Sequence, residues 1–388
     1  MRLTISLGRI YSPSRGRQDP KSPLTGDSEF ESLERTLSTI ARTPSVRATV
    51  TLRDVARGSG VSITTVSRIL NGRESGVPIR DETRRRVLAV AAELGYKPNL
   101  LARGLRGSRS SLLGVIARDI SDPFHIQILR GINAAAQARD YRLFLGHVDY
   151  RPDVALTYGS MFERSHADGI VIIGDIEGAD STLEVFAEQH RYVLGVTDRT
   201  ARRQIPGVYG DSVVGTRLAL EHLWNLGHRS IICVSDARTF DGRLRIDMYE
   251  QFMRDRGVGD RMQVHITDQE PEPSFELGRQ IFVDFGDASP TAIFATSDTT
   301  AMGLMQAAFQ AGIAMPDRLS IVGFDDIDFA AYTIPPLTTI SQGGVEMGRV
   351  AAELLFDMID NGRDKADVED VILEPKLVVR GSTGAPFR

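Results

Sequence analysis

The segment Thr51–Gly76, TLRDVARGSGVSITTVSRILNGRESG, sets two very short amphipathic stretches around one glycine, and few folds accept that spacing. Thr51 followed by Asp54 has the pattern of a capping box, and Leu52, Val55 and Ala56 share one face of a first helix. Gly60 supplies the tight turn that lets a second helix begin at once. Ser62 is a good N-cap for that helix, which carries Val66, Ile69 and Leu70 on one side and Thr64, Thr65 and Arg68 on the other. Small Ala56 and Gly60 with branched Val66 suit a close crossing on a short turn. This pattern is a helix-turn-helix, whose second helix turns its N-terminal side chains to base edges in the major groove. A third helix, from about Asp81 to Leu94, has Val87, Ala91 and Leu94 at helical spacing and stops at Gly95, which would close a three-helix core. With Arg80 in front of it, Asp81 is the expected cap.

Charge agrees with that reading. The whole chain has net charge -5, yet Val50–Ser110 holds twelve Lys and Arg against five Asp and Glu. A basic module of this size on an acidic body favours a polyanionic partner, although a merely solvated charged face explains the charge alone equally well. The Arg84–Arg86 run reads more simply as such a face than as a base reader. After the third helix, Pro98 ends one element, Asn99 can cap a new turn, and LLARGL can form a helix too short to stand alone in water.

These two stretches, TLRDVARGSGVSITTVSRILNG and RDETRRRVLAVAAELGYKPNLLARGLR, resemble the DNA-binding headpiece and hinge of the LacI family of bacterial regulators, over Val50–Gly107. The resemblance implies that Ile63 and Thr64 choose bases, that Arg68 also reaches a base, and that Ser62, Thr65 and Asn71 engage phosphates or hold the recognition helix. Leu52 is counted with this DNA-binding set. Tyr96 and Asn99 match backbone-contacting positions, Leu105 matches the hinge leucine that wedges into a minor-groove step, and Ala102 faces the same groove. Arg gripping guanine and an apolar wedge kinking a step are both physically sound. The loop NGRESGVPIRDET is longer than the family norm by about three residues, and its Arg73 could add a phosphate contact or simply be solvated.

From Leu112 onward, short apolar runs alternate with amphipathic stretches, as in a doubly wound α/β protein. LLGVIA, RLFLGHV, GIVIIG and YVLGV read as strands of one lobe, with HIQILRGINAAAQARD as a helix among them, and SIICVS, TAIFAT and LSIVGF as strands of a second. This is similar to the two-lobed, type I periplasmic-binding-protein-like sensor of the same family. The expected fold is therefore an all-α helix-turn-helix headpiece followed by an α/β two-lobed sensor. Expected domains are an N-terminal extension over 1–49, a headpiece over 50–97, a hinge helix and linker over 98–110, and an effector-binding and dimerisation domain over 111–388.

Loops at the carboxyl ends of those strands hold the candidate effector site: Asp122, Phe124, Asp198, Arg199, Arg245, Ser297, Asp325 and Gln342. In the family, positions matching Arg245, Ser297 and Asp325 hold hydroxyls or carboxylates of a small ligand, and an aromatic near Phe124 covers a ring. Two departures bear on the ligand, since Ser297 stands where Asn is frequent and Met248 where Gly commonly follows the arginine by three. Taken without the resemblance, Asp325 and Asp326 could cap a loop, Arg199 and Arg245 could pair with surface carboxylates, and Phe124 could be core. Cys233, inside an apolar strand, reads as packing.

Three function classes are open: a regulator, a soluble small-molecule binding protein, and an enzyme. The headpiece argues against the second, as does the N-terminus, MRLTISLGRIYSPSRGRQ, which has no continuous apolar core or cleavage site. Neighbouring Asp325 and Asp326 lack the opposed placement of an acid/base pair, and no P-loop, GxSxG or zinc spacing occurs. The expectation is a transcription regulator, a repressor in reading, that acts as a homodimer on a palindromic double-stranded operator. Its effector would be a small molecule of sugar type, with no cofactor, metal or membrane. With one cysteine and no apolar run of about 18 residues, the cytoplasm is the default expectation. Residues 1–49, rich in Pro, Ser, Gly and mixed charge, are expected to be a dispensable disordered extension or the product of a misassigned start near Val46 or Val50.

Overall fold

A computed structural model describes residues 50–70, 78–96, 109–175, 179–197, 205–283 and 290–386. The chain divides into two compact units between Pro98 and Asn99.

The first unit contains α1 (Leu52–Ser59), α2 (Ile63–Leu70) and α3 (Asp81–Glu93). Thr51 and Asp54 form the expected box: the Thr51 N–H donates to the Asp54 carboxylate at 2.9 Å and the Thr51 hydroxyl donates to the same oxygen at 2.7 Å. Gly60 takes φ +67° at the end of α1, and an added Cβ there would meet nothing, so its role is conformational freedom rather than close packing. Close approach falls instead to Gly58, where a Cβ would lie 2.8 Å from Val90 Cγ1 of α3. Ser62 caps α2, its Oγ accepting from Thr65 N at 3.1 Å. Val55, Ala56, Val66, Ile69, Val87 and Ala91 form the buried core.

Two expectations for α3 are corrected. Arg80 is the N-cap and makes no side-chain cap bond, while Asp81 is the first helical residue, where its charge meets the helix dipole. Leu94 is 41% exposed. Gly95 at φ +66° reverses the chain, Tyr96 N donates to Ala91 O at 2.8 Å, and the Tyr96 side chain packs against the core in Leu94's stead.

The second unit holds two six-stranded sheets. The first contains β1 (Leu112–Ala117), β2 (Arg142–His147), β3 (Gly169–Ile173), β4 (Val193–Val196), β5 (Gly207–Gly210) and β11 (Val371–Leu373) in the order β11-β5-β4-β3-β1-β2. Its pairs are all parallel. The second contains β6 (Ile231–Ser235), β7 (Val264–Ile266), β8 (Ala292–Ala295), β9 (Ser320–Asp325), β10 (Thr338–Ser341) and β12 (Lys376–Val378), ordered β12-β10-β9-β8-β6-β7, with β12 antiparallel to β10. Each lobe thus reverses strand order beside its first strand, and such switch points hold ligands outside the carboxyl ends of the strands.

Helices cover both sheets: α4 (Pro123–Ala138), α5 (Pro152–Arg164), α6 (Ala179–Gln189), α7 (Ser212–Leu226), α8 (Phe240–Asp255), α9 (Pro271–Ile281), α10 (Asp298–Gln310) and α11 (Gly344–Asn361). The chain passes between lobes after β5, after β10 and between β11 and β12, and α11 returns to pack on α4 of the first lobe. That crossing is tight at backbone level: Cβ atoms built on Gly131 and Gly348 would lie 1.9 Å from Val345 O and Ile128 O. No helix among the described residues is long and apolar enough to cross a membrane.

Candidate functional site

In the first unit, the start of α2 presents Ser62, Ile63 and Thr64 to solvent, with Ile63 39% exposed despite its side chain. Thr65 and Arg68 follow on the helix, half-buried. Leu52 and Tyr96 are partly buried against the core. Exposed Arg53, Arg57, Arg85 and Arg86 make the surface of this unit basic. A short helix end rich in hydroxyls and surrounded by guanidinium groups suits a duplex, with backbone contacts giving affinity and base edges giving choice. Asn71, Asn99, Ala102 and Leu105 lie outside the described residues, as do Arg73 and the extension over 1–49.

In the second unit, loops from both sheets enclose about 370 Å³ of space, part of it open to solvent. Asp122, Phe124, Arg245, Asp325 and Gln342 all line it. Asp122 sits beyond the end of β1 because its carboxylate caps α4, accepting from Phe124 N at 2.9 Å, which directs the buried Phe124 ring to the cavity wall. Arg245 reaches it from α8, whose start is fixed by Thr239 Oγ1 accepting from Gly242 N at 3.0 Å. Only glycine fits at 242, since a Cβ would lie 1.8 Å from Asp236 O. The Arg245 fork donates to Thr296 O at 2.7 Å and to Ser212 Oγ at 3.2 and 3.3 Å, and its guanidinium carbon lies 3.7 Å from the Phe324 ring centre. Asp325 ends β9 with φ +119°, a costly conformation outside glycine, and accepts from Gln342 Nε2 at 2.7 Å.

Ser297 is placed differently. It is buried, caps α10 by accepting from Thr300 N at 3.2 Å, and does not line the cavity. Asp198 and Arg199 lie outside the described residues.

Several cavity residues escaped the sequence reading: Arg118, His125, Asp175, Asp241 and Gln269. Arg118 follows the end of β1 directly and Asp175 follows β3 after one glycine, positions that could have marked them, and Asp241 stands one turn before Arg245 on α8. Gln269 follows β7, a three-residue strand with no legible pattern. Two pairs cross the cleft: Arg118 donates to Gln269 Oε1 at 3.5 Å, and Phe240 N donates to the Asp175 carboxylate. Arg118 Nε and Asp175 Oδ1 are buried with no hydrogen-bond partner among the described residues.

Electrostatically the cavity has more carboxylates than cations. His125 does not offset the excess, because burial pushes its pKa down and holds it neutral. Burial raises the pKa of Asp241, with Arg245 acting in the opposite sense, and raises that of Asp325 well above the carboxylate range. Close behind Asp325 lies Asp298, fully buried, its carboxylate accepting from Ile327 N at 2.9 Å and from the Thr339 hydroxyl. Burial takes its pKa to about 7. Since the folded state holds this proton more tightly than the unfolded chain does, the contribution of Asp298 to stability is full below the unfolded value of 3.8 and is lost as pH rises toward about 7. Asp298→Asn can give a proton to Thr339 and still accept from Ile327, so thermal melts of this variant are expected to lose much of the wild-type decline between those pH values. An undiminished decline would remove Asp298 as its source.

Carboxylates that accept, a guanidinium fork that donates and one aromatic wall suit a small neutral molecule with many hydroxyls.

Comparison with known proteins agrees with both units. The family of bacterial regulatory proteins, lacI family, matches residues 51–99, and a periplasmic binding protein-like domain matches residues 220–383. The HTH-type transcriptional regulator DegA of Bacillus subtilis is 35% identical over 337 residues, covering 86% of this chain and 98% of DegA. The crystal structure of the lac repressor dimer bound to operator and an anti-inducer superposes with TM-score 0.77 at 27% identity, over 87% of this chain and 100% of that one. A LacI family regulator from Enterococcus faecium with bound ribose aligns with TM-score 0.63 at 26% identity, over 71% of this chain and 99% of that one.

Proposed function

The chain belongs to the LacI family of bacterial regulatory proteins, and from that membership we propose that a sugar or closely related polyhydroxylated metabolite, held between the two sensor lobes, sets its affinity for operator DNA. It is a DNA-binding transcription regulator and not an enzyme. In this reading it represses from the cytoplasm as a homodimer on a palindromic operator, the arrangement named for the lac repressor structure. Residues 50–97 form the headpiece, 98–110 the hinge, and 111–388 the sensor and dimerisation domain, with 1–49 a dispensable extension.

One observation carries the effector role: the cavity takes Asp122 and Phe124 from the first lobe and Arg245 and Asp325 from the second, so an occupant holding all four fixes the lobes' relative placement. Differential affinity for two lobe arrangements worth about 1–3 kcal/mol changes operator affinity roughly 5- to 150-fold. The ribose in the E. faecium relative supports a sugar. On the DNA side, Ile63, Thr64 and Arg68 read bases, while Ser62, Thr65, Asn71, Tyr96 and Asn99 hold the backbone or the recognition helix. Leu52 supports the helix start, and Ala102 and Leu105 engage the minor groove.

Shift assays on fragments of the source genome test the DNA half. Arg68→Ala is expected to lose about 1–3 kcal/mol, and discrimination at one base pair, on the fragment bound by wild type. Equal losses on that fragment and on random duplex would end the base-reading assignment.

A further inference from the structure

A second cavity, of about 400 Å³ with part of it open to solvent, adjoins the first and shares Arg118, Asp122 and Gln269 with it. Its remaining walls include Tyr150 from the first lobe and Arg238 from the second. Resting on the sugar reading above, we propose that the effector is a neutral two-ring saccharide: one ring fills the inner cavity, the second fills the outer one, and Tyr150 is the residue that selects for the second ring.

Placement comes first. The two cavities lie side by side, both partly open to solvent, with Arg118, Asp122 and Gln269 on the boundary between them, so a molecule of two linked rings can reach both. The backbone supplies a second indication. Asp149 and Tyr150 both adopt left-handed φ, +48° and +60°, which is strained for two successive residues with side chains. Asp149 N donates to Arg118 O at 2.8 Å, so the strain is held by the strand end that also lines both cavities. The strained turn delivers the Tyr150 ring to the outer cavity, where the guanidinium carbons of Arg238 and Arg118 lie 4.8 and 5.2 Å from its centre. Arg238 belongs to the opposite lobe, so the ring is gripped across the cleft.

Charge then narrows the ligand class. Arg238 is already matched by Asp236, at 3.0 Å, and by Asp268, at 3.1 Å. Arg118 faces Asp122 at 3.4 Å. Asp119 and Glu270 add further carboxylates to the lining, so with Asp122 the carboxylates outnumber the two guanidiniums and repel a phosphate. An aromatic wall, Pro123 and Pro271, and several acceptors fit a neutral ring with hydroxyls on its rim.

The test uses the full-length protein and calorimetry with glucose, galactose, ribose, cellobiose, maltose, lactose, trehalose and glucose 6-phosphate as probes. At least one disaccharide is expected to bind roughly tenfold or more tightly than any monosaccharide. Tyr150→Ala should reduce that disaccharide to monosaccharide affinity without changing monosaccharide binding, and Tyr150→Phe should restore it. Ser121→Trp, at an exposed position on the outer wall, should block the disaccharide alone and stands in should Tyr150→Ala misfold. Equal affinity for one and two rings, tighter binding of the phosphate, or parallel losses for both sugar classes in the variants would overturn the two-ring assignment while leaving a sugar effector in place. Binding of none of the probes would overturn the sugar reading and this proposal with it.

Discussion

Arg245→Ala is expected to give a regulator that holds its operator normally but no longer answers its effector. Arg245 is buried, and its fork is the guanidinium that reaches the cavity from the second lobe's α8. Removing it takes away a charge-assisted grip on a ligand hydroxyl, about 1.5–3 kcal/mol, or roughly 10- to 150-fold in affinity. It also leaves Asp241 and Asp325 in a buried site without the cation that favours their charged forms, so their carboxyls bind protons still more readily. The headpiece is a separate unit and retains its charge and core. Calorimetry with the effector, and fluorescence anisotropy on labelled operator, check the two halves separately. Unchanged responses in both would take Arg245 out of the site.

Gly131→Ala and Gly348→Ala are expected to damage the fold rather than the response. At each position the added methyl would meet a carbonyl oxygen of the facing helix at 1.9 Å, and a backbone carbonyl cannot swing aside as a side chain can. To accommodate it, α4 and α11 must separate, and the core they share, including Ile128, Ile132, Met347 and Ala351, loses contact along their length. Overpacking of this kind costs about 3 kcal/mol or more, and a melting temperature lower by on the order of 5–10 °C is the expected result for either variant. Melts within about one degree of wild type would show that the crossing opens freely.

Much of this was legible in the chain because local pattern and tertiary role coincide. The Thr51–Asp54 box, Gly60 and Ser62 act within a few residues of themselves, so their spacing alone sets α1, the turn and α2. Six of the strands, β1, β3, β4, β6, β8 and β9, are apolar runs buried on both faces of a parallel sheet, which leaves a plain hydrophobic signal. The strands that left little trace, β5, β7, β10, β11 and β12, have three or four residues each and owe their existence to neighbours far away in sequence. Val371–Leu373 pairs with Val208–Gly210, for example, which no local pattern records. In the site, Asp325 stands out because it ends a strand and Asp122 because it caps the helix after one, whereas Gln269 depends on an unreadable strand. Ser297 also follows a strand, two residues after β8, yet a hydroxyl at the start of a helix is drawn to the free N–H groups there. Leu94 matched the helical period, but the helix stops one residue earlier and Tyr96 covers the core after the chain reverses.

The most direct measurement of the central claim is the affinity of the full-length protein for its operator, by fluorescence anisotropy, with and without a saturating concentration of the tightest-binding saccharide. The same titrations on random duplex at several salt concentrations serve as reference. A ligand seated between the lobes predicts that operator affinity changes roughly 5- to 150-fold, while weak binding to random duplex and its salt dependence stay the same. A saccharide that binds tightly in calorimetry yet leaves operator affinity where it was would contradict the account, because a ligand with equal affinity for both lobe arrangements cannot move either.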